Sequence, residues 1–293
     1  MKQNYAKAIA ISHRVMYNNH MKMNSSRTRF LSLPEGRVAY DLDGDGPLVV
    51  LVPGMGDLRG TYRMLAPILR GAGYRVACTD LRGHGDSDVS FKTYGDVETS
   101  SDVIALIDQL GGPAFVVGNS MSAGAAVLVA AKRPDLVLGL VLVGPFVRDP
   151  KASAVSRIFL RLAMAPLWAA PSWKSYLPKL YAGRKPDDFE EYRDQVVASI
   201  RRTGHAKAFS LTTRTSHAAA EAKLTEVSKP TLVIMGEQDP DFQDPKNEAD
   251  WIAHALHGQV TMVPEAGHYP QSQQPEITAG AIRRFFGEVR SHA

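Results

Sequence analysis

One cysteine, Cys78, stands in the whole chain, so no intramolecular disulfide is available to hold the fold. Set in the apolar run "YRVACTDL" (74–81), it reads as a buried structural thiol rather than a nucleophile or ligand. No apolar run reaches 18 residues, which excludes a transmembrane helix. Internal repeats and low-complexity tracts are lacking too. Acidic residues are missing from positions 1–34, which hold six basic ones: Lys2, Lys7, Arg14, Lys22, Arg27 and Arg29. Against a formal net charge of +4, the remainder then has 28 basic and 30 acidic residues, a net −2. A domain so close to neutrality has no nucleic-acid footprint, and a small molecule is the expected partner. The N-terminal stretch also lacks an apolar core long enough for a secretory signal. Residues 1–27 faintly resemble an organellar transit peptide, but read as an extension outside the fold, or as an over-long start ahead of Met21 or Met23. The expected location is cytoplasmic.

What is present is a 293-residue chain, 44% hydrophobic and 22% charged, the ordinary make-up of one large α/β domain with room for an insertion. From Thr28, "TRFLSLPEGRVAYDLDGDG" alternates apolar and polar residues about a Pro-Glu-Gly turn and predicts a β-hairpin. "PLVVLVPG" (47–54) is a short continuous apolar run, as expected of a strand buried on both faces. Helical and strand patterns then alternate as far as "LVLGLVLVG" (136–144), and resume from "PTLVIMG" (230–236) to a last helix near Pro275–Val289. Such alternation predicts a mostly parallel sheet with helices on both faces. Between them the alternation stops. Residues 146–220 are helix-like and rich in aromatics, and are expected to form a helical cap over a core made of 28–145 and 221–293.

In a parallel sheet the ligand-facing residues lie just beyond the carboxyl ends of the strands. Those positions hold Pro53-Gly54-Met55-Gly56, Asp80, Gly118-Asn119-Ser120, Asp239 and His268. A serine, an acid and a histidine thus occur in that order, each after a different strand. The chemistry of such a set needs a hydroxyl activated by a base, because free serine is a poor nucleophile near neutral pH. Glu237, Asp241 and Asp244 compete with Asp239, and Asp149, five residues beyond Gly144, is less well placed.

From about Thr28 onward, "VPGMG", "DLRGHGDSD", "VGNSMSAG", "GEQDPDF" and "AGHYPQSQQPE" together resemble the α/β-hydrolase superfamily, in the same order and on the same strand ends. The resemblance implies the α/β-hydrolase fold and a triad of Ser120, His268 and Asp239, the acid matched by its G-x-x-D pattern. It also implies an oxyanion hole from the backbone N–H groups of Met55 and Met121, each such donor being worth roughly 3–4 kcal/mol. The family's His-Gly-x at the first loop is here Pro53-Gly54, so one support of that loop is missing. Asp80, Arg82 and His84 belong to a loop that is largely structural in the family. Gly54, Asn119, Phe146, Trp168 and Tyr269 are the candidates to line the substrate pocket.

"VVGNSMSAGAAV" (116–127) departs from the family's G-x-S-x-G by placing Ser122 where the second glycine belongs. With Ser120 as nucleophile, Gly118 follows the apolar strand directly and Gly-Asn turns the chain. With Ser122 as nucleophile, the strand would have to run on through Gly118 and Asn119. The first register is preferred. Serine at the elbow separates the chain from haloalkane dehalogenases and epoxide hydrolases, which carry aspartate there. The expected activity is hydrolysis of a carboxylic ester or lactone of a small, fairly apolar molecule, with no metal or cofactor. C–C bond hydrolysis, to which "GNSMSAG" is close, acyl transfer, and ligand sensing without turnover are the alternatives.

Overall fold

The computed structural model describes residues 28–150 and 154–291. Arg29–Leu33 (β1) and Gly36–Asp43 (β2) form the expected hairpin, Leu33 pairing with Gly36. The remaining strands are Leu48–Val52 (β3), Arg75–Thr79 (β4), Ala114–Asn119 (β5), Val137–Val143 (β6), Thr231–Gly236 (β7) and Gln259–Val263 (β8). They form one eight-stranded sheet in the order β1-β2-β4-β3-β5-β6-β7-β8, antiparallel across β1–β2 and β2–β4 and parallel elsewhere. The continuous apolar run expected to be buried on both faces is β3, and it is buried along its whole length, as is β5.

Helices cover both faces because the strands present apolar side chains to each side. Asp96–Leu110 (α2), Ser122–Lys132 (α3) and Pro245–Ala255 (α8) pack with one set, including Val50, Val116 and Leu140. Leu65–Gly71 (α1) and Pro275–Ser291 (α9) pack with the other, in which Phe115 and Phe286 stack at 3.8 Å. The chain does not pass straight from the loop after β3 into a helix: Arg59–Tyr62 is a separate 3-10 turn, and α1 starts only at Leu65.

Between β6 and β7 the chain forms Ala154–Ala163 (α4), Ala169–Leu180 (α5), Phe189–Arg201 (α6) and His205–Thr212 (α7), then one turn at Ala218–Glu221. Trp173, Leu177, Tyr181, Phe189, Tyr192 and Phe209 give this block an apolar centre of its own, which also takes in Tyr269. Its seat is the loop after β4. The His205 Nδ1–H donates to Gly83 O at 3.0 Å, and the Arg202 guanidinium donates to Gly85 O at 2.5 Å.

The strand order reverses at β3: β4 lies on one side of it and β5 on the other. The loops that follow β3 and β5 therefore leave the sheet side by side, which is where open α/β sheets form their crevices.

Candidate active site

β5 ends at Asn119, and α3 begins at Ser122. Ser120 makes the turn between them with φ of +56°, a left-handed backbone that a non-glycine residue adopts at a cost of order 1–3 kcal/mol. Neighbouring bonds hold it there. Its N–H donates to Val143 O at 2.9 Å, and its carbonyl accepts from the N–H groups of Ala123 (3.0 Å) and Phe146 (3.2 Å). Small residues make the turn possible, since a Cβ on Gly118 would lie 2.2 Å from Ser122 O.

Ser122 sits in the first turn of the helix, and its hydroxyl is occupied: Oγ donates to Pro53 O at 2.6 Å. The residue in the missing-glycine slot therefore ties the elbow to the loop after β3. The same two segments touch again at Gly54, where any Cβ would come within 2.8 Å of Ser120 Cβ. Among the described residues, the backbone N–H groups of Met55 and Met121 have no hydrogen-bond acceptor. The Met121 side chain is fully buried.

His268, in the loop after β8, is 1% exposed, and its Nδ1 lies 2.7 Å from Asp239 Oδ2. Asp239 follows β7 directly, is 2% exposed, and accepts the Asp241 N–H at its other oxygen at 3.1 Å. Burial disfavours the charged imidazole, but the charge and hydrogen bond of Asp239, helped by Asp241 and Asp57, outweigh it and raise His268 to about 9. Asp241, whose Oδ2 is 3.8 Å from the same Nδ1, is held off by Tyr176 Oη on its Oδ1 at 2.5 Å. Asp239, Asp241 and His268 have donor atoms close enough to surround a cation, yet Nδ1 and Oδ2 are already bonded to each other.

Asn119 links the serine turn to the histidine loop. Its amide donates to Val143 O at 3.0 Å and to His268 O at 3.2 Å. It is wholly buried and acts as a strut rather than a wall facing solvent. Phe146 leans on His268 with ring centres 5.9 Å apart, and Tyr269 meets it edge-on at 5.3 Å while stacking on Tyr181 of the helical block. Of the sequence candidates, Ser120, Asn119, Gly54, Phe146, Asp239, His268 and Tyr269 are thus neighbours at the carboxyl ends of the strands. Trp168 does not join them. It precedes α5 and is 57% exposed.

His84 has a structural place, as the motif implies. Its Nδ1–H donates to Arg82 O at 3.0 Å, and Nε2 accepts the Gly56 N–H at 3.1 Å. Burial lowers its pKa to about 4, consistent with a neutral ring that can accept. It thereby supports the loop in which Pro53 has replaced the family's histidine. Asp80 is locked by the Arg59 guanidinium and by the Arg59 and Asp86 N–H groups, and Arg82 forks onto Asp102. The Cys78 thiol is pushed well up, first by burial, which leaves it no thiolate character.

Two further residues support the loop after β3. Asp57 is buried beneath the Gly54–Gly56 loop, where Oδ1 accepts from Tyr192 Oη and from the Leu58 N–H at 2.9 Å. Burial raises its pKa, and its Oδ2 has no partner among the described residues. Trp173 lies against Gly56, whose φ is +70° and whose added Cβ would be 2.8 Å from the indole. No spacing rule links residues 56 and 173, so that contact was hidden from sequence reasoning.

Residues 49–281 match the model of the alpha/beta hydrolase family. The chain belongs to that family. Among curated relatives, a 2-(acetamidomethylene)succinate hydrolase of Mesorhizobium japonicum is 26% identical over 262 residues, 85% of this chain and 92% of that protein. A human monoglyceride lipase is 27% identical over 203 residues, 66% of this chain and 65% of the lipase. Among solved structures, a bromoperoxidase of Bacillus anthracis superposes with a TM-score of 0.78 at 18% identity, covering 89% of this chain and 99% of the other. That likeness concerns the fold. The alpha/beta-hydrolase sheet, with its topological reversal at β3, is what brings the described site together.

Proposed function

We propose that this hydrolase cleaves a carboxylic ester or lactone of a small, fairly apolar substrate through an acyl-enzyme intermediate. The observation that carries the reading is the pairing of a serine in left-handed backbone at the end of β5 with a buried Asp239–His268 hydrogen bond of 2.7 Å. Ser120 Oγ attacks the carbonyl carbon while its proton passes to His268 Nε2. Asp239 fixes the tautomer and stabilises the imidazolium. The carbonyl oxygen, now an alkoxide, is received by the N–H groups of Met55 and Met121. The C–O bond to the alcohol then breaks and the imidazolium proton goes to the leaving oxygen. Water, deprotonated by His268, reverses the sequence and frees the acid.

The 146–220 block serves as the cap that closes this crevice, with Phe146 and Tyr269 as apolar neighbours of the imidazole. Ester chemistry is in keeping with the name of the monoglyceride lipase relative, while no aspartate stands at the elbow for an alkyl-enzyme route. A serine-directed fluorophosphonate tests the assignment: Ser120→Ala should abolish labelling. Labelling that survives in Ser120→Ala and disappears in Ser122→Ala would move the nucleophile to the second register. p-Nitrophenyl esters of graded chain length, run beside lactones and a vinylogous diketone, separate ester hydrolysis from C–C bond cleavage.

A further inference from the structure

The first stretch of the helical block is built unlike the rest of the surface. Ile158, Phe159, Leu160 and Leu162 of α4, then Leu167 and Trp168, are between 47% and 77% exposed. Elsewhere among the described residues, exposed large apolar side chains are Phe30, Val89, Val97 and Ile277, scattered singly and none above 44%. Single exposed apolar residues need no explanation, whereas six within eleven positions form a patch that water alone does not favour. Nor does the patch help the block fold, since its apolar centre takes only Met164 from this region.

Charge identifies what covers it. Positions 150–186 hold seven Lys/Arg and no Asp or Glu; Lys174 is paired with Asp194, while Arg161, in the midst of the apolar residues, is exposed. A second copy seated on the same patch would bring Arg161 against its own counterpart. Residues 1–27 have five Lys/Arg and no acid, so they carry the same sign and are repelled as well. An anionic lipid surface attracts both basic segments and accepts aromatic and aliphatic side chains at the headgroup–acyl boundary. We infer that the 158–168 face docks this protein on an anionic lipid surface, with Phe159, Leu162, Leu167 and Trp168 entering the boundary and Arg161 at the headgroups.

The inference concerns binding and stands apart from the identity of the nucleophile. The full-length chain is sedimented with vesicles of phosphatidylcholine alone and of phosphatidylcholine with phosphatidylglycerol. Binding is expected to be about tenfold stronger on the anionic vesicles and to weaken in about 0.5 M salt. The double variant Phe159→Asp/Leu167→Asp should lose about tenfold or more in binding, through lost insertion together with two added carboxylates facing the headgroups. Its circular dichroism and melting should match the parent, because both side chains are exposed. Ser120→Ala should bind as the parent does. Equal binding to both vesicles, or binding that survives the double variant but is lost in Lys7→Glu/Arg14→Glu, overturns the inference; the latter assigns the contact to the N-terminal segment. Absence of vesicle binding together with a dimer abolished by Phe159→Asp/Leu167→Asp overturns it in favour of a second copy.

Discussion

His268 and His84, buried on the loops after β8 and β4, are treated in opposite ways by the protein. His268 has a carboxylate on Nδ1 and is raised to about 9; His84 has a backbone carbonyl there and is lowered to about 4. Burial disfavours the charge in both, so the partner decides the outcome. A carboxylate makes an imidazole ready to receive a proton. A carbonyl makes it a neutral, permanent acceptor, which is what the Gly56 N–H requires.

Exchanging the fates of the two rings is the sharpest way to break this contrast. His268→Ala should cost about 10⁴-fold or more in turnover of a p-nitrophenyl ester, as loss of the base does in a serine hydrolase. A loss below about tenfold would end its role. Asp239→Asn should cost about 10³–10⁴-fold, and in it the acid limb of kcat/KM should move down from near 9 toward the ordinary histidine value, since the charge that raises it is gone. A limb that stays put would place the raising charge on Asp241.

His84→Ala should leave the proton transfer intact and disturb only the loop. A loss of about 10–100-fold in kcat, of the size produced by a displaced oxyanion donor, is expected, with KM nearly constant. Stability against pH separates the rings again. His268, raised when folded, contributes stability fully below about 6.5 and loses it as pH rises through about 9. His84, lowered when folded, leaves stability intact above about 6.5 and costs it as pH falls toward 4. Thermal melting across this range should therefore fall on both sides, and His84→Ala should flatten the acid side alone. The smallest effect belongs to Ser122→Ala: about 1 kcal/mol of stability from the lost bond to Pro53 O, and a change in turnover within about fivefold, read by denaturant melts and steady-state rates.

The sheet was legible because buried parallel strands announce themselves as short apolar runs, and their carboxyl ends then index the site. That is why Ser120, Asp239 and His268 stand out in the sequence as candidates, each lying within a few residues of a strand end. Residue 84 could be recognised as structural from its loop, but its bond to Gly56 could not, because nothing in the spacing of 56 and 84 says that they meet. The helical block was the least legible part. Phe146 and Trp168 look alike as aromatics, yet one leans on His268 and the other faces outward. Helical periodicity gives a face to each helix without saying what that face meets. Trp173 on Gly56, and Tyr192 on Asp57, are set by how the block is laid across the core, which no local pattern encodes.

The bond from Ser122 Oγ to Pro53 O joins a side chain to a backbone, and that asymmetry bears on how the two positions can change over generations. Every amino acid offers a carbonyl, so position 53 is free to exchange its side chain without breaking this tie. Position 122 must keep a hydroxyl close to the main chain, which confines it to serine or threonine wherever the tie is retained. Lineages descended from this chain should therefore show drift at 53 beside constancy at 122. A return to glycine at 122 would mark the point at which the elbow and the neighbouring loop began to move independently.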